Sequence, residues 1–289
     1  MNISNYPLYT ALITPLKEDS SVDYNALESL LREQEEANNG ILVLGSTGEA
    51  LNLDKEEKEK IFKFASDLNL KVPLMAGIGG INLRETKEDI NFLNELNYHC
   101  YLLVTPLYAK PGKVGQTEWF KALLDTSKRP CMLYNVPSRT GTSLNIETVS
   151  ELNSHPNFWA IKEASGSVDD FKNYVGATNG QLVYSGDDAL MNDFARHEAK
   201  GLVSVASNVW PKETNIFVQK CLNNDLENED EWKTWSNSLF EASNPIPTKV
   251  LMNELGRINS PICRPPLSHQ DLHSTENLIN VNNSVKNWP

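Results

Sequence analysis

A lysine closes a short apolar run in Asn157-Phe158-Trp159-Ala160-Ile161-Lys162-Glu163-Ala164-Ser165-Gly166, and the chain passes at once into an acid and a small-residue turn. Read as a strand leading into a loop, this places the Lys162 amine at the strand's C-terminal tip, where α/β sheets and barrels hold ligands. Apolar neighbours desolvate such an amine, lower its pKa and free the neutral form to attack a carbonyl. The bland alternative is a surface lysine on a βα loop, and the rest of the chain decides between the two.

Tyr134 also stands where an apolar run ends, one helix-length before Lys162. Sequential strands in a barrel would make the two residues neighbours about 5 Å apart, phenol beside amine. Gly45-Ser46-Thr47-Gly48-Glu49 follows another apolar run and offers two hydroxyls framed by glycines. Glycines let the backbone approach a ligand, and successive N–H groups there could hold a carboxylate. Tyr108 adds a second phenol, and Arg139 a planar fork suited to a carboxylate. Together these are the groups that Schiff-base chemistry on an α-keto acid requires.

The elements that would position them alternate without a break. Tyr9–Thr14, Ile41–Leu44, Pro73–Ala76, Cys100–Val104, Pro130–Leu133, Phe158–Ile161, Gln181–Tyr184 and Gly201–Val205 read as strands. Segments of helical period separate them, among them Asp23 to Glu36 and a helix opened by an Asp54/Glu57 capping box. This regular succession predicts an α/β fold, a closed (β/α)8 TIM barrel, over residues 1–222. Residues 223–289 begin with an acidic, polar stretch and carry no strand pattern. They are expected to form a C-terminal helical appendage, with helices at Asp230–Ala242, Thr248–Leu255 and Asp271–Val281.

A net charge of −12 over 289 residues argues against a nucleic-acid binder. No basic, apolar leader opens the chain and no apolar run reaches the ~18–20 residues of a membrane span, so a cytoplasmic protein without membrane contact is expected. The four cysteines form no CxxC pair, and Cys100 and Cys131, inside apolar runs, are expected to be reduced core residues. In Gly186-Asp187-Asp188 an aspartate is expected to cap the helix that starts there, rather than the pair to hold a metal. His269 and His273 have the i,i+4 spacing of a zinc helix but lack its other ligands, and Gly77-Ile78-Gly79-Gly80 fails the dinucleotide fingerprint.

Five motifs carry a resemblance: Gly45–Glu49, Tyr134–Gly141, Ile161–Gly166, Ser185–Asp188 and Asn244-Pro245-Ile246-Pro247-Thr248-Lys249. In this order they resemble the dihydrodipicolinate synthase family, of the N-acetylneuraminate lyase group of class I aldolases. The resemblance implies a lyase that condenses pyruvate with L-aspartate 4-semialdehyde to 4-hydroxy-tetrahydrodipicolinate, in lysine and diaminopimelate biosynthesis. It implies no metal or organic cofactor, and a homotetramer built as two dimers.

By position, Lys162 resembles the Schiff-base lysine, Tyr134 the relay tyrosine, and Ser46 the relay hydroxyl. Tyr108 falls on the tyrosine that crosses a dimer interface. Thr47 matches the pyruvate-carboxylate binder, Arg139 the residue that meets the semialdehyde carboxylate, and Gly186 and Val203 the backbone lining of the pocket. Ser46 replaces the synthases' usual threonine, a spelling common in the sialic acid lyases, while Arg139 speaks for a synthase. The alternatives are another 2-keto-acid aldolase, such as N-acetylneuraminate lyase, or a silent keto-acid-binding relative. Lys55, Lys58 and Leu107 replace the histidines and the phenol of lysine-responsive members, and insensitivity to L-lysine is expected through charge repulsion.

Overall fold

The computed structural model describes residues 1–288. Its strands are β1 (Leu8–Ala11), β2 (Gly40–Val43), β3 (Leu74–Ile78), β4 (Cys100–Val104), β5 (Cys131–Asn135), β6 (Phe158–Glu163), β7 (Leu182–Ser185) and β8 (Leu202–Ser204). Each pairs in parallel with the next, and β8 closes on β1 to complete the expected eight-stranded barrel. Strand residues alternate between two apolar layers, as the period of two demands. Tyr9, Leu42, Met75, Cys100, Leu102, Met132, Tyr134, Ala160, Tyr184 and Val203 fill the barrel. Leu8, Ile41, Val43, Leu74, Tyr101, Leu133, Ile161 and Val183 face outward and join the helices in a second layer.

Two strands are shorter than their apolar runs, for polar reasons. β1 stops at Ala11 because the buried Asn208 side chain takes over its ladder, donating to Ala11 O at 2.8 Å and accepting from Ile13 N at 2.9 Å. β8 stops at Ser204 because the Asp188 carboxylate accepts from Val205 N (2.9 Å), Ala206 N (3.3 Å) and the Ser204 hydroxyl. Burial pushes the Asp188 carboxyl up to about 6. Asp187 caps the short turn Asp188–Leu190, its Oδ1 accepting from Ala189 N at 3.0 Å.

The Asp54/Glu57 capping box forms as read, with Glu57 N donating to Asp54 Oδ1 and Asp54 N to Glu57 Oε2. Beyond the helix Pro211–Leu222 come Glu229–Ser238, Ile246–Glu254 and Glu276–Lys286. The last starts five residues later than expected because Ser268 caps a separate turn, His269–Asp271. Trp232 stacks on Phe217 with ring centroids 4.2 Å apart, so the appendage shares one apolar layer with the barrel's last helix. Among the described residues no helix is long and apolar enough to cross a membrane.

Candidate active site

The parallel register sets Lys162 between Tyr134 of β5 and Tyr184 of β7. Lys162 is 5 % exposed, and its Nζ lies 4.3 Å from the centroid of the Tyr134 ring. The ring face attracts the ammonium form. Glu163, next in the chain, turns to the opposite side of the strand. Its carboxylate accepts from Asn135 Nδ2 at 2.6 Å and Ser165 N at 2.7 Å. The acid is therefore engaged away from the amine, and burial raises its carboxyl above the usual range. Asn135 also accepts from Leu144 N at 2.8 Å, which fixes the tip of the strand bearing Tyr134.

Gly186 packs directly on the lysine stem: a Cβ there would sit 2.7 Å from Lys162 Cε and 2.7 Å from Ala164 Cβ. The Gly186→Ala variant is accordingly expected to fold but to lose on the order of a hundredfold in kcat/KM, because displacing a reacting group by about an ångström costs that much. Steady-state kinetics alongside a thermal melt would check this. A loss below threefold would show the stem free to move aside.

β2 is followed by Leu44 at φ 57°, an uncommon conformation for a branched side chain. Its carbonyl oxygen would lie 2.4 Å from a Cβ at Gly77, so only glycine on β3 admits this turn. The turn swings Gly45–Glu49 across the barrel mouth. Gly48 N and Glu49 N donate back to Gly45 O and Ser46 O, both at 3.1 Å. Among the described residues, the N–H groups of Ser46 and Thr47 have no such acceptor. Ser46 is exposed and Thr47 buried.

Three residues of this site carried no role in the sequence reading. Glu49 and Lys249 form an ion pair at 2.5 Å with side chains 1 % and 0 % exposed. Lys249 Nζ also donates to Ile262 O (2.7 Å), and Glu49 Oε2 accepts from Arg264 N (2.8 Å). Asn244 Nδ2 donates to Thr47 Oγ1 at 2.9 Å, and Arg139 Nη2 reaches Asn244 O at 3.5 Å. The Asn244–Lys249 motif was visible in the chain, but only the fold shows it gripping Gly45–Glu49.

Lys249→Met would leave a buried, unpaired carboxylate, which typically costs about 3–5 kcal/mol. The measurable expectation is a drop in Tm of roughly 10 °C, largely restored in Glu49→Gln/Lys249→Met. Failure of the double variant to recover would mean that packing, not charge, sets the cost.

A cavity of ≈ 420 Å³ is lined by Ser46, Gly45, Tyr134, Val136 and Arg139, and runs on between the helices Lys55–Asp67 and Leu83–Leu93. Tyr134, Ser46 and Arg139 are thus brought to one space, with the Lys162 amine behind the Tyr134 ring. Val203 lies inside the barrel on β8, fully buried. Tyr108 does not join them: it is 90 % exposed, at φ 63°, with its N–H donating to Thr140 O at 3.2 Å. The hydroxyls of Tyr134, Ser46 and Tyr108 are not assembled within one chain.

Lys55, Lys58 and Leu107 line the far part of the cavity, but so do Glu59 and Asp89. Lys55 Nζ also lies 3.6 Å from Glu88 Oε2. Two carboxylates beside the two lysines offset the charge repulsion expected against L-lysine. What remains of that argument is the phenol missing at Leu107.

Comparison with known proteins decides the family. A model of the dihydrodipicolinate synthetase family matches residues 6–284. The chain belongs to this family. A curated 4-hydroxy-tetrahydrodipicolinate synthase from Francisella tularensis subsp. novicida (strain U112) is 45 % identical over 98 % of this chain and 97 % of its own. One from Wolbachia pipientis wMel is 45 % identical over 97 % and 96 %. The solved dihydrodipicolinate synthase from Cyanidioschyzon merolae with lysine bound has a TM-score of 0.91 at 30 % identity, covering 99 % of this chain and 100 % of that one. Dihydrodipicolinate synthetase family membership thus extends across barrel and appendage together.

Proposed function

We propose that the chain condenses pyruvate with L-aspartate 4-semialdehyde to 4-hydroxy-tetrahydrodipicolinate, a step of lysine and diaminopimelate biosynthesis, through a Schiff base on Lys162. Family membership supports the activity. The observation that carries the mechanism is the buried Lys162 amine 4.3 Å from the ring of Tyr134, which lines one cavity with Ser46 and Arg139.

The neutral amine adds to the ketone carbon of pyruvate, and the resulting carbinolamine loses water to give the iminium. The iminium draws electrons from the methyl carbon, a proton leaves, and an enamine forms. The enamine carbon attacks the aldehyde. The semialdehyde's own amine then displaces Lys162 as the ring closes. Lysine is the electron sink, so this chemistry calls for no metal or organic cofactor. Thr47 holds the pyruvate carboxylate, Arg139 the semialdehyde carboxylate, and the backbone at Gly186 and Val203 shapes the pocket.

The exposure of Tyr108 supports a shared site, in which Tyr108 of a second copy completes the relay of Tyr134 and Ser46. A homotetramer of two such dimers, in the cytoplasm, is the corresponding assembly. Ser46 favours a second reading, a lyase of the sialic acid type. Incubation with pyruvate and L-aspartate 4-semialdehyde, or with pyruvate and N-acetylmannosamine, followed by mass spectrometry separates the two. Product from the second pair alone would overturn the synthase.

A further inference from the structure

We infer that Asn244 is a positioning residue for pyruvate: its side-chain amide holds Thr47 Oγ1 as an acceptor and leaves the hydroxyl's own proton for the substrate carboxylate. The inference rests on the reading of Thr47 as the carboxylate binder and adds what makes that hydroxyl a donor.

A threonine hydroxyl has one proton and two lone pairs. Asn244 Nδ2–H occupies a lone pair of Thr47 Oγ1 at 2.9 Å. Among the described residues nothing accepts the Thr47 proton in return. The N–H groups of Ser46 and Thr47 are likewise without acceptors there. Two successive residues therefore present three donors, and a carboxylate is a pure acceptor.

Asn244 is 5 % exposed, and its Oδ1 is buried without a hydrogen-bond partner. Turning the amide over would not repair this. Oδ1 would then consume the Thr47 proton and leave Nδ2 unpaired instead. The residue's backbone is held in place. Its carbonyl receives Arg139 at 3.5 Å, and five residues on, Lys249 pins the same segment to Glu49. A merely structural asparagine would stabilise the strap between helices and leave pyruvate affinity alone.

The test measures KM for each substrate, and separately the pyruvate concentration giving half-maximal inactivation by borohydride, which needs no second substrate. Thr47→Val is expected to raise both pyruvate values roughly 10- to 100-fold, the range for one hydrogen bond to a charged group. Asn244→Leu should raise them roughly 5- to 20-fold, with kcat and the semialdehyde KM within about threefold of wild type. Asn244→Asp should do more harm than Asn244→Leu, because its carboxylate both takes the Thr47 proton and repels the substrate anion. Thr47→Val/Asn244→Leu should match Thr47→Val within about twofold, since the two act through one contact.

If Thr47→Val leaves pyruvate binding unchanged, the reading of Thr47 fails and takes this inference with it. If Thr47→Val weakens pyruvate but Asn244→Leu does not, or the two effects multiply, the Asn244 inference alone is overturned. Should Asn244→Leu not fold, the near-isosteric Asn244→Asp decides on the same half-saturation value, and unchanged pyruvate binding overturns the inference.

Discussion

Lys162→Ala is expected to lower kcat/KM on the order of a thousandfold or more, with the fold intact. A covalent nucleophile has no substitute once removed, because the iminium that activates the pyruvate methyl cannot form without it. The neighbourhood supports a clean interpretation. Glu163 is already satisfied by Asn135 and Ser165, so the variant strands no acid. Rates would be followed with both substrates present, beside a thermal melt. A folded variant retaining more than about a tenth of the activity would mean the amine is not the nucleophile.

Tyr134→Phe is expected to lower kcat by roughly 10²- to 10⁴-fold, the range for losing a positioned proton donor or acceptor. Phenylalanine keeps the ring beneath Lys162 Nζ, so the cation–π contact at 4.3 Å survives and only the hydroxyl is lost. The loss should fall on kcat, with pyruvate half-saturation changed little. Borohydride trapping should still occur in this variant, but slowly, because the carbinolamine loses water less readily. A fall in kcat below about fivefold would remove Tyr134 from proton transfer and leave it a packing role.

Much of the barrel was legible because strand and helix periods alternate regularly, and because Tyr134 and Lys162 each end an apolar run. Their pairing across β5 and β6 followed from sequential strands, and the register places them opposite one another. The ends of β1 and β8 were not legible. Apolar character continues through Leu12 and Ile13, and only the buried side chains of Asn208 and Asp188 show where the ladders stop. The partners of Thr47 and Glu49 lay further out of reach, 197 and 200 residues away along the chain. A motif can be recognised in a sequence while the contact that explains it stays hidden. The surroundings of Lys55 and Lys58 were only partly legible for a related reason: Glu59 lies on their own helix, but Glu88 and Asp89 come from the next one, and local spacing does not place those two.

The proposed function requires a covalent bond between pyruvate and one lysine. Folded enzyme saturated with pyruvate would be treated with borohydride, digested, and mapped by mass spectrometry. A single new modification is expected, a carboxyethyl group on Lys162 Nζ, with loss of activity in proportion to its formation. An unmodified Lys162 peptide from that sample, or the same adduct on another lysine with activity lost in step, would contradict it.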